Sequence, residues 1–376
     1  MIYLDHNATT PIAPEVREAM LPYLTDDWGN PSSSYRFGAK LRTVVEKARE
    51  QVAGLIGSYI GEVLFTSCAT ESNNAAIHAA LKARPRKGHV ITSAVEHSSV
   101  LSYCKALEGD GFRVTYLPVD RDGLLNLADL EAAICDDTAI VSIMWANNET
   151  GVLFPVKEIA GICKAHGVLF HCDAVQVAGK LPLDVPKMPV DYLSITAHKF
   201  NGPKGIGALY VNRNAPFSPY VCGGHQERGR RGGTENVASI IGMGVAAEIA
   251  LGKLAGYESR VRPLRDLLEK GILENVESVE LNGHPTLRLA NTSNITFRGI
   301  ESEALLLLLD EEGVCASSGS ACLADSGEPS HVVRAMKSDS GASRQMIRFS
   351  LDLSSSAQEI VRVISLVKAA ADALRG

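Results

Sequence analysis

The sequence predicts an α/β protein, with a large domain built on a mostly parallel sheet flanked by helices and a smaller α+β domain. Three observations predict it. Between residues 62 and 211, short runs apolar on both faces recur with helical stretches between most of them, the pattern of strands covered on both sides. The polar residues of this half gather directly after the strands, where ligands of such sheets bind. After about residue 255 the alternation stops, and strand-like and helical segments follow in no repeating order.

Bulk properties are consistent with this. A chain of 376 residues is long enough for a large core and two domains, read here as 15–255 and as 1–14 together with 256–376. A net charge of −6 argues against a general nucleic-acid surface. The eight cysteines form no paired framework and Met1-Ile2-Tyr3-Leu4-Asp5 is not a signal peptide, so a cytoplasmic protein with reduced thiols is expected. The most apolar long run, Val237 to Ala255, contains Glu248 and Lys253. A membrane span needs about 20 mostly apolar residues, so the run is read as a buried core helix.

The elements follow in order. Tyr3 to Pro11 is an extended polar arm, Pro14 to Leu24 has helical spacing, and a further helix covers Phe37 to Ile56. Strands are predicted at 62–66, 89–93, 113–117, 139–145, 168–172, 192–196 and 208–211, with helices at 70–83, 97–108, 127–134 and 156–166. The second unit has helices at 258–273, 300–310 and 357–374 and strands at 279–281, 292–297 and 347–351.

The chemistry-bearing residues lie at the strand ends. Ser67 to Ser72 opens a helix after the first strand, where backbone N–H groups and the Thr70 hydroxyl would attract a phosphate; a plain N-cap at Thr70 is the alternative. His97 follows the next strand and is a candidate catalytic residue that would stack on or protonate a ligand, with a structural cap as the alternative. Asn147-Asn148 before Glu149-Thr150-Gly151 suits a ligand or a turn. Asp173 closes an apolar strand, where a carboxylate is costly unless paired, as with a protonated pyridine nitrogen; Gln176 follows within reach of a ring substituent. Lys199 stands after the strand ending at Thr196, before a turn stiffened by Gly202, Pro203, Gly205 and Gly207, and is a candidate covalent anchor for a carbonyl cofactor. Phosphate cradle, carboxylate and lysine in that order match the needs of pyridoxal phosphate. Gly223 to Asn236 is basic and glycine-rich without interleaved aromatics, so an anion-contacting loop, one that crosses a subunit interface, is favoured over nucleic-acid binding. Cys322 sits among small polar residues from Ala316 to Ser330, suiting a mobile nucleophile; a Cys315–Cys322 metal site lacks a second ligand pair. Arg348 on an apolar strand calls for a carboxylate, from the protein or from a substrate.

Several motifs together carry a resemblance. They are Tyr3 to Pro11, Gly29-Asn30-Pro31-Ser32-Ser33, Phe65-Thr66-Ser67 with Thr70-Glu71-Ser72, Asn147 to Gly151, Asp173-Ala174-Val175-Gln176, His198-Lys199, Gly202-Pro203-Lys204-Gly205 and Ser317 to Cys322. From about residue 2 to beyond 350 the chain resembles the class V pyridoxal phosphate enzymes, and among them the cysteine desulfurases. Trp145 to Gly151, Gly223 to Asn236 and Glu328 to Val332 look most like the NifS type, which supplies sulfur for nitrogenase clusters. Cys68-Ala69, where many relatives carry a glycine, and Ser338 to Gln345 depart from the pattern.

The resemblance implies a homodimer of fold type I with pyridoxal 5′-phosphate as cofactor. Lys199 would be the Schiff-base lysine, Asp173 the partner of the pyridine nitrogen, Gln176 and Asn148 neighbours of the phenolic oxygen, and His97 a ring stacked on the cofactor. Ala69, Thr70, Thr196 and His198 would hold the phosphate, with Thr234 from the other subunit. Arg348 and Asn148 would hold the substrate carboxylate. Cys322 would take sulfur from L-cysteine as a persulfide and pass it to an iron–sulfur scaffold protein; no resident metal site is implied, and Cys322 is at most a ligand of iron–sulfur cargo in transit. A selenocysteine lyase, another class V aminotransferase, or a non-catalytic sulfur or cluster carrier are the alternatives.

Overall fold

The computed structural model describes residues 1–319, 329–337 and 341–376. The chain opens with β1 (Ile2–Tyr3), α1 (Pro14–Met20), α2 (Pro22–Thr25) and α3 (Arg36–Ile56). It continues through β2 (Val63–Thr66), α4 (Ala69–Ala83), β3 (His89–Ser93), α5 (Ser98–Gly109), β4 (Arg113–Leu117) and α6 (Leu127–Ala133). Next come β5 (Thr138–Met144), α7 (Val156–Ala165), β6 (Leu169–Asp173), β7 (Tyr192–Thr196) and β8 (Gly207–Val211). The remainder is α8 (Val237–Asn275), β9 (Val279–Leu281), β10 (Thr292–Phe297), α9 (Ser302–Glu311), β11 (Val314–Cys315), α10 (His331–Met336), β12 (Met346–Ser350) and α11 (Ala357–Arg375).

The seven-stranded sheet has the order β2-β8-β7-β6-β5-β3-β4. Only β8 runs antiparallel to its neighbours, so the sheet is mostly parallel, as expected from strands that are apolar on both faces. Because β2 is antiparallel to β8 and β8 to β7, β2 runs with the parallel strands. Thr66, Ser93, Met144, Asp173 and Thr196 therefore end their strands at the same edge. Register tightens this grouping: Asp173 pairs with Met144 on one side and with Ser194 on the other.

Helices α3, α7 and the first half of α8 cover one face of the sheet, and α4 and α5 the other. A separate apolar cluster joins the second half of α8 to α9, α11, β10 and β12, with Phe297, Ile347 and Phe349 at its centre. There β12-β10-β9 form an antiparallel sheet, while β1 pairs in parallel with β11.

Four segments differ from the sequence-based expectation. Pro14 to Leu24 is two short helices, because Pro22 has no N–H to continue the first. The helices expected at 237–255 and 258–273 are one 39-residue helix, α8, with Pro263 inside it. The carbonyl that Pro263 leaves without a helical partner belongs to Ser259, which is exposed, so water can serve it. The apolar half of α8 is long enough by composition to cross a membrane, yet it lies against α1 and α3 in the core. Strand β11 and helix α10 were not expected; at two and six residues they are too short for periodicity to show.

Gly207 opens β8 directly beneath the start of α4. A Cβ there would lie 2.7 Å from the carbonyl carbon of Cys68 and 3.0 Å from the Ile195 oxygen. Gly207→Ala should cost about 1–3 kcal/mol through overpacking, read as a lower denaturation midpoint with unchanged m-value.

Candidate active site

The shared strand edge opens on a cavity of about 180 Å³. Of the expected residues, Ala69, Thr70, His97, Asn148, Asp173, Gln176, Thr196, His198, Lys199 and Arg348 all line it. Thr234 does not: in this chain it lines a different pocket with Ser67, Gly205 and Arg231. Cys322 lies outside the described residues.

Helix α4 presents its N-terminus to the cavity. Cys68, not Thr70, is the N-cap, and no side chain caps the helix. The plain N-cap reading of Thr70 is thereby removed, and its hydroxyl stands in the first turn beside amides that lack helical acceptors. These donors and the positive helix end suit a phosphate. Thr196 lines the cavity and donates its hydroxyl to the Ile206 carbonyl at 3.0 Å. His198 contacts Thr9 Oγ1 at 3.2 Å through Nδ1, and burial beside Lys199 and Lys204 lowers its pKa to about 3.

Asp173 is 6% exposed. Its Oδ2 accepts from Asn73 Nδ2 at 2.7 Å and its Oδ1 from the Val175 amide at 3.0 Å. Burial still raises its pKa, because these donors and Lys199 do not offset the lost solvation. Asn73 also donates to Ser99 Oγ at 2.9 Å, and the Ser99 amide donates to His97 Nδ1 at 3.1 Å. His97 is therefore the N-cap of α5 as well as a cavity wall, and its ring proton resides on Nε2. Burial, then Lys199 and His331, lower its pKa to about 4, so the ring is neutral at pH 7.

Lys199 ends a single 3₁₀ turn after β7. Its ammonium donates to two arm carbonyls, Asn7 and, at 2.8 Å, Ala8. Gln176 donates to the same Asn7 oxygen at 3.0 Å and accepts from buried Lys180 at 3.2 Å. Asn147 makes the turn, its Oδ1 accepting from the Glu149 and Thr150 amides, while Asn148 lines the cavity with its Oδ1 unbonded among the described residues. Arg348 is 1% exposed and finds a protein carboxylate, Asp5, at 2.6 Å through Nη2; its Nη1 reaches the Asn148 carbonyl at 3.1 Å and its Nε has no protein acceptor.

Sequence reasoning missed four contributors: Asn73, Glu96 and the carbonyls of Asn7 and Ala8. Asn73 was detectable, because it follows Thr70 by three residues on one helix face. A backbone carbonyl leaves no side-chain signal. The donor set as a whole fits a flat, phosphate-bearing pyridine aldehyde: amides and hydroxyls for the phosphate, a buried carboxylate for a ring cation, and a primary amine for the aldehyde. Among the described residues no cluster of three or more His, Cys, Asp or Glu is placed to hold a metal.

The class V aminotransferase family model matches residues 2–363. The chain is 52% identical over 375 residues to cysteine desulfurase 2 of Trichormus variabilis, covering 100% of this chain and 94% of that protein. It is 50% identical over 364 residues to the cysteine desulfurase NifS of Azotobacter vinelandii, covering 96% and 90%. A solved NifS-like protein superposes with a TM-score of 0.91 at 37% identity, over 98% of each chain.

Glu96 is fully buried behind the cavity, accepting from Ser93 Oγ at 2.7 Å and from the Met144 amide at 3.0 Å. Burial is the largest influence on its carboxyl, raising the pKa from 4.5 to about 8. The folded state thus holds a proton that the unfolded chain releases, and stability falls as pH rises from about 4.5 to about 8. Glu96→Gln should flatten the stability–pH curve across that window, measured by urea unfolding at successive pH values.

Proposed function

Since the chain belongs to the class V aminotransferase family and is a cysteine desulfurase within it, we propose that it holds pyridoxal 5′-phosphate in this cavity and moves the sulfur of L-cysteine onto Cys322. The observation that carries the reading is the convergence of Lys199, Asp173 and Arg348 on one cavity. Ser317, five residues before Cys322, pairs with Arg348 through both backbone bonds, at 2.7 and 3.2 Å.

The α4 amides at Ala69 and Thr70, with Thr196 and His198, would hold the phosphate. Thr234 would complete the cradle from the second copy of a homodimer, which accounts for its place outside this chain's own cavity. Asp173 would keep the ring nitrogen protonated, and its raised pKa reflects a buried carboxylate for which that cation is a partner. When bound, the cofactor supplies an electron sink beside the substrate Cα. As a neutral ring, His97 adds no charge against a cationic pyridine. Gln176 and Asn148 would face the phenolic oxygen.

Arg348 Nε and the Asn148 side-chain amide would bind the α-carboxylate of cysteine. Lys199 Nζ, supported by the arm carbonyls, would take and return the proton at Cα. The Cys322 thiolate would attack the substrate sulfur: one S–S bond forms, the Cβ–S bond breaks, and L-alanine leaves. Cysteine plus thiol equals alanine plus persulfide, so no outside oxidant is required. An iron–sulfur scaffold protein would accept the sulfur, for nitrogenase clusters in view of the similarity to NifS. The large and small domains would meet within α8 near residue 255, and the protein would work in the cytoplasm.

Cys322→Ala should keep the yellow cofactor band and lose sulfide production; full-rate sulfide from this variant would overturn the nucleophile assignment. Arg348→Lys should keep the band and raise KM for cysteine about 10-fold or more, since a fork of donors is replaced by a point charge. Transfer is tested by adding an apo-scaffold, iron and cysteine and following cluster absorbance.

A further inference from the structure

One buried carboxylate remains outside the chemistry above. Glu149 is 0% exposed and follows the cavity-lining Asn148. Its backbone carbonyl accepts from Asn294 Nδ2 at 3.1 Å, which fixes the residue to β10. Its Oε2 accepts from Ser330 Oγ at 2.5 Å, and Ser330 Oγ in turn accepts from the Val333 amide at 3.0 Å as the N-cap of α10. On the other side lies Gly319, at φ +107°. A Cβ there would stand 3.4 Å from Oε2 and 3.6 Å from Oε1. Oε1 has no hydrogen-bond partner among the described residues. A buried carboxylate held by so few donors costs stability rather than adding to it. Gly319 and Ser330 flank the stretch containing Cys322, so both stems of that stretch meet at one side chain. That side chain is joined through Asn148 to Arg348, whose backbone also pairs with Ser317.

We propose that Glu149 is a positioning residue for sulfur transfer: its carboxylate bonds Ser330 on one stem of the Cys322-bearing segment and lies beside Gly319 on the other, next to the Asn148–Arg348 wall of the cavity. The inference rests on the assignment of Cys322 as the sulfur acceptor. It adds a requirement that this assignment does not contain, namely that the stems share an anchor on the wall that would bind the substrate carboxylate. Glu149 would not touch the reacting atoms.

The test uses the full-length holoenzyme and four variants. Glu149→Ala removes the tether, and Glu149→Gln keeps an oxygen to accept from Ser330. Ser330→Asp keeps an oxygen to cap α10 but sets a like charge against Glu149, and Ser330→Asn keeps both the cap and a donor. Two readouts are followed: alkylation of Cys322 by iodoacetamide without substrate, by peptide mass spectrometry, and single-turnover persulfide formation, against the cysteine-induced change in the cofactor band. Glu149→Ala and Ser330→Asp should raise the alkylation rate about 10-fold and slow persulfide formation about 10-fold, with the concentration dependence of the band change unaltered; Glu149→Gln and Ser330→Asn should restore both. Alkylation unchanged in both disruptive variants overturns the proposal, as does a loss of cysteine binding equal to the loss of persulfide formation. Should Glu149→Ala fail to fold, the Ser330 pair decides alone. Failure of the Cys322 assignment would appear separately, as persulfide on another cysteine in the unmodified enzyme.

Discussion

The site depends on keeping a carboxylate buried at the end of a central strand. Asp173 closes β6, between β5 and β7, where burial strips most of its solvation. Its two oxygens are held by the Val175 amide two residues on and by Asn73 from α4. Asn73 bonds Ser99, and Ser99 bonds His97, so the carboxylate, the ring wall and the starts of two helices form one connected unit. Such networks are stable only when nearly every member is satisfied, so the helices that present the phosphate donors are held in place by the same bonds that hold the acid.

The N-terminal arm is the second structural requirement. Asn7 donates to the Asn148 carbonyl and to Thr292 Oγ1, accepts from Asn291, and offers its own carbonyl to Lys199 and Gln176. Asp5 neutralises Arg348. The arm thus bonds the lysine end of the cavity, the asparagine turn and the second sheet at once. Few of these bonds involve apolar burial, so their geometry rather than their area sets the relative placement of Lys199 and Arg348.

Legibility in the sequence followed the length and regularity of the signal. Strands such as β3, β4 and β7 were readable to the residue because short runs rich in β-branched and aromatic residues, set between polar or turn-forming segments, have few alternatives. Helix α8 was read as two because composition changes near residue 255, while the backbone continues with its second half buried in another cluster. Asp173 stood out as an acid ending an apolar strand, and Lys199 as a lysine before a rigid turn. Asn73, Asn7 and Glu149 did not, because an amide in a helix, a residue in an arm and an acid in a turn are all ordinary until their neighbours are known.

What the sequence determined by itself was chemistry: which residues could donate, accept, anchor or attack, and in what order along the chain. What only the tertiary structure decided was company. The strand order places β6 beside β7, so Asp173 and Lys199 reach one cavity although 25 residues lie between them in the chain. The arm crosses most of the chain's length to give Arg348 its carboxylate, and Ser330 reaches back to bond Glu149. The physical reason is that periodicity and propensity act over a few residues. The energy of a buried charge depends on whatever surrounds it within a few ångströms, and that is set by topology.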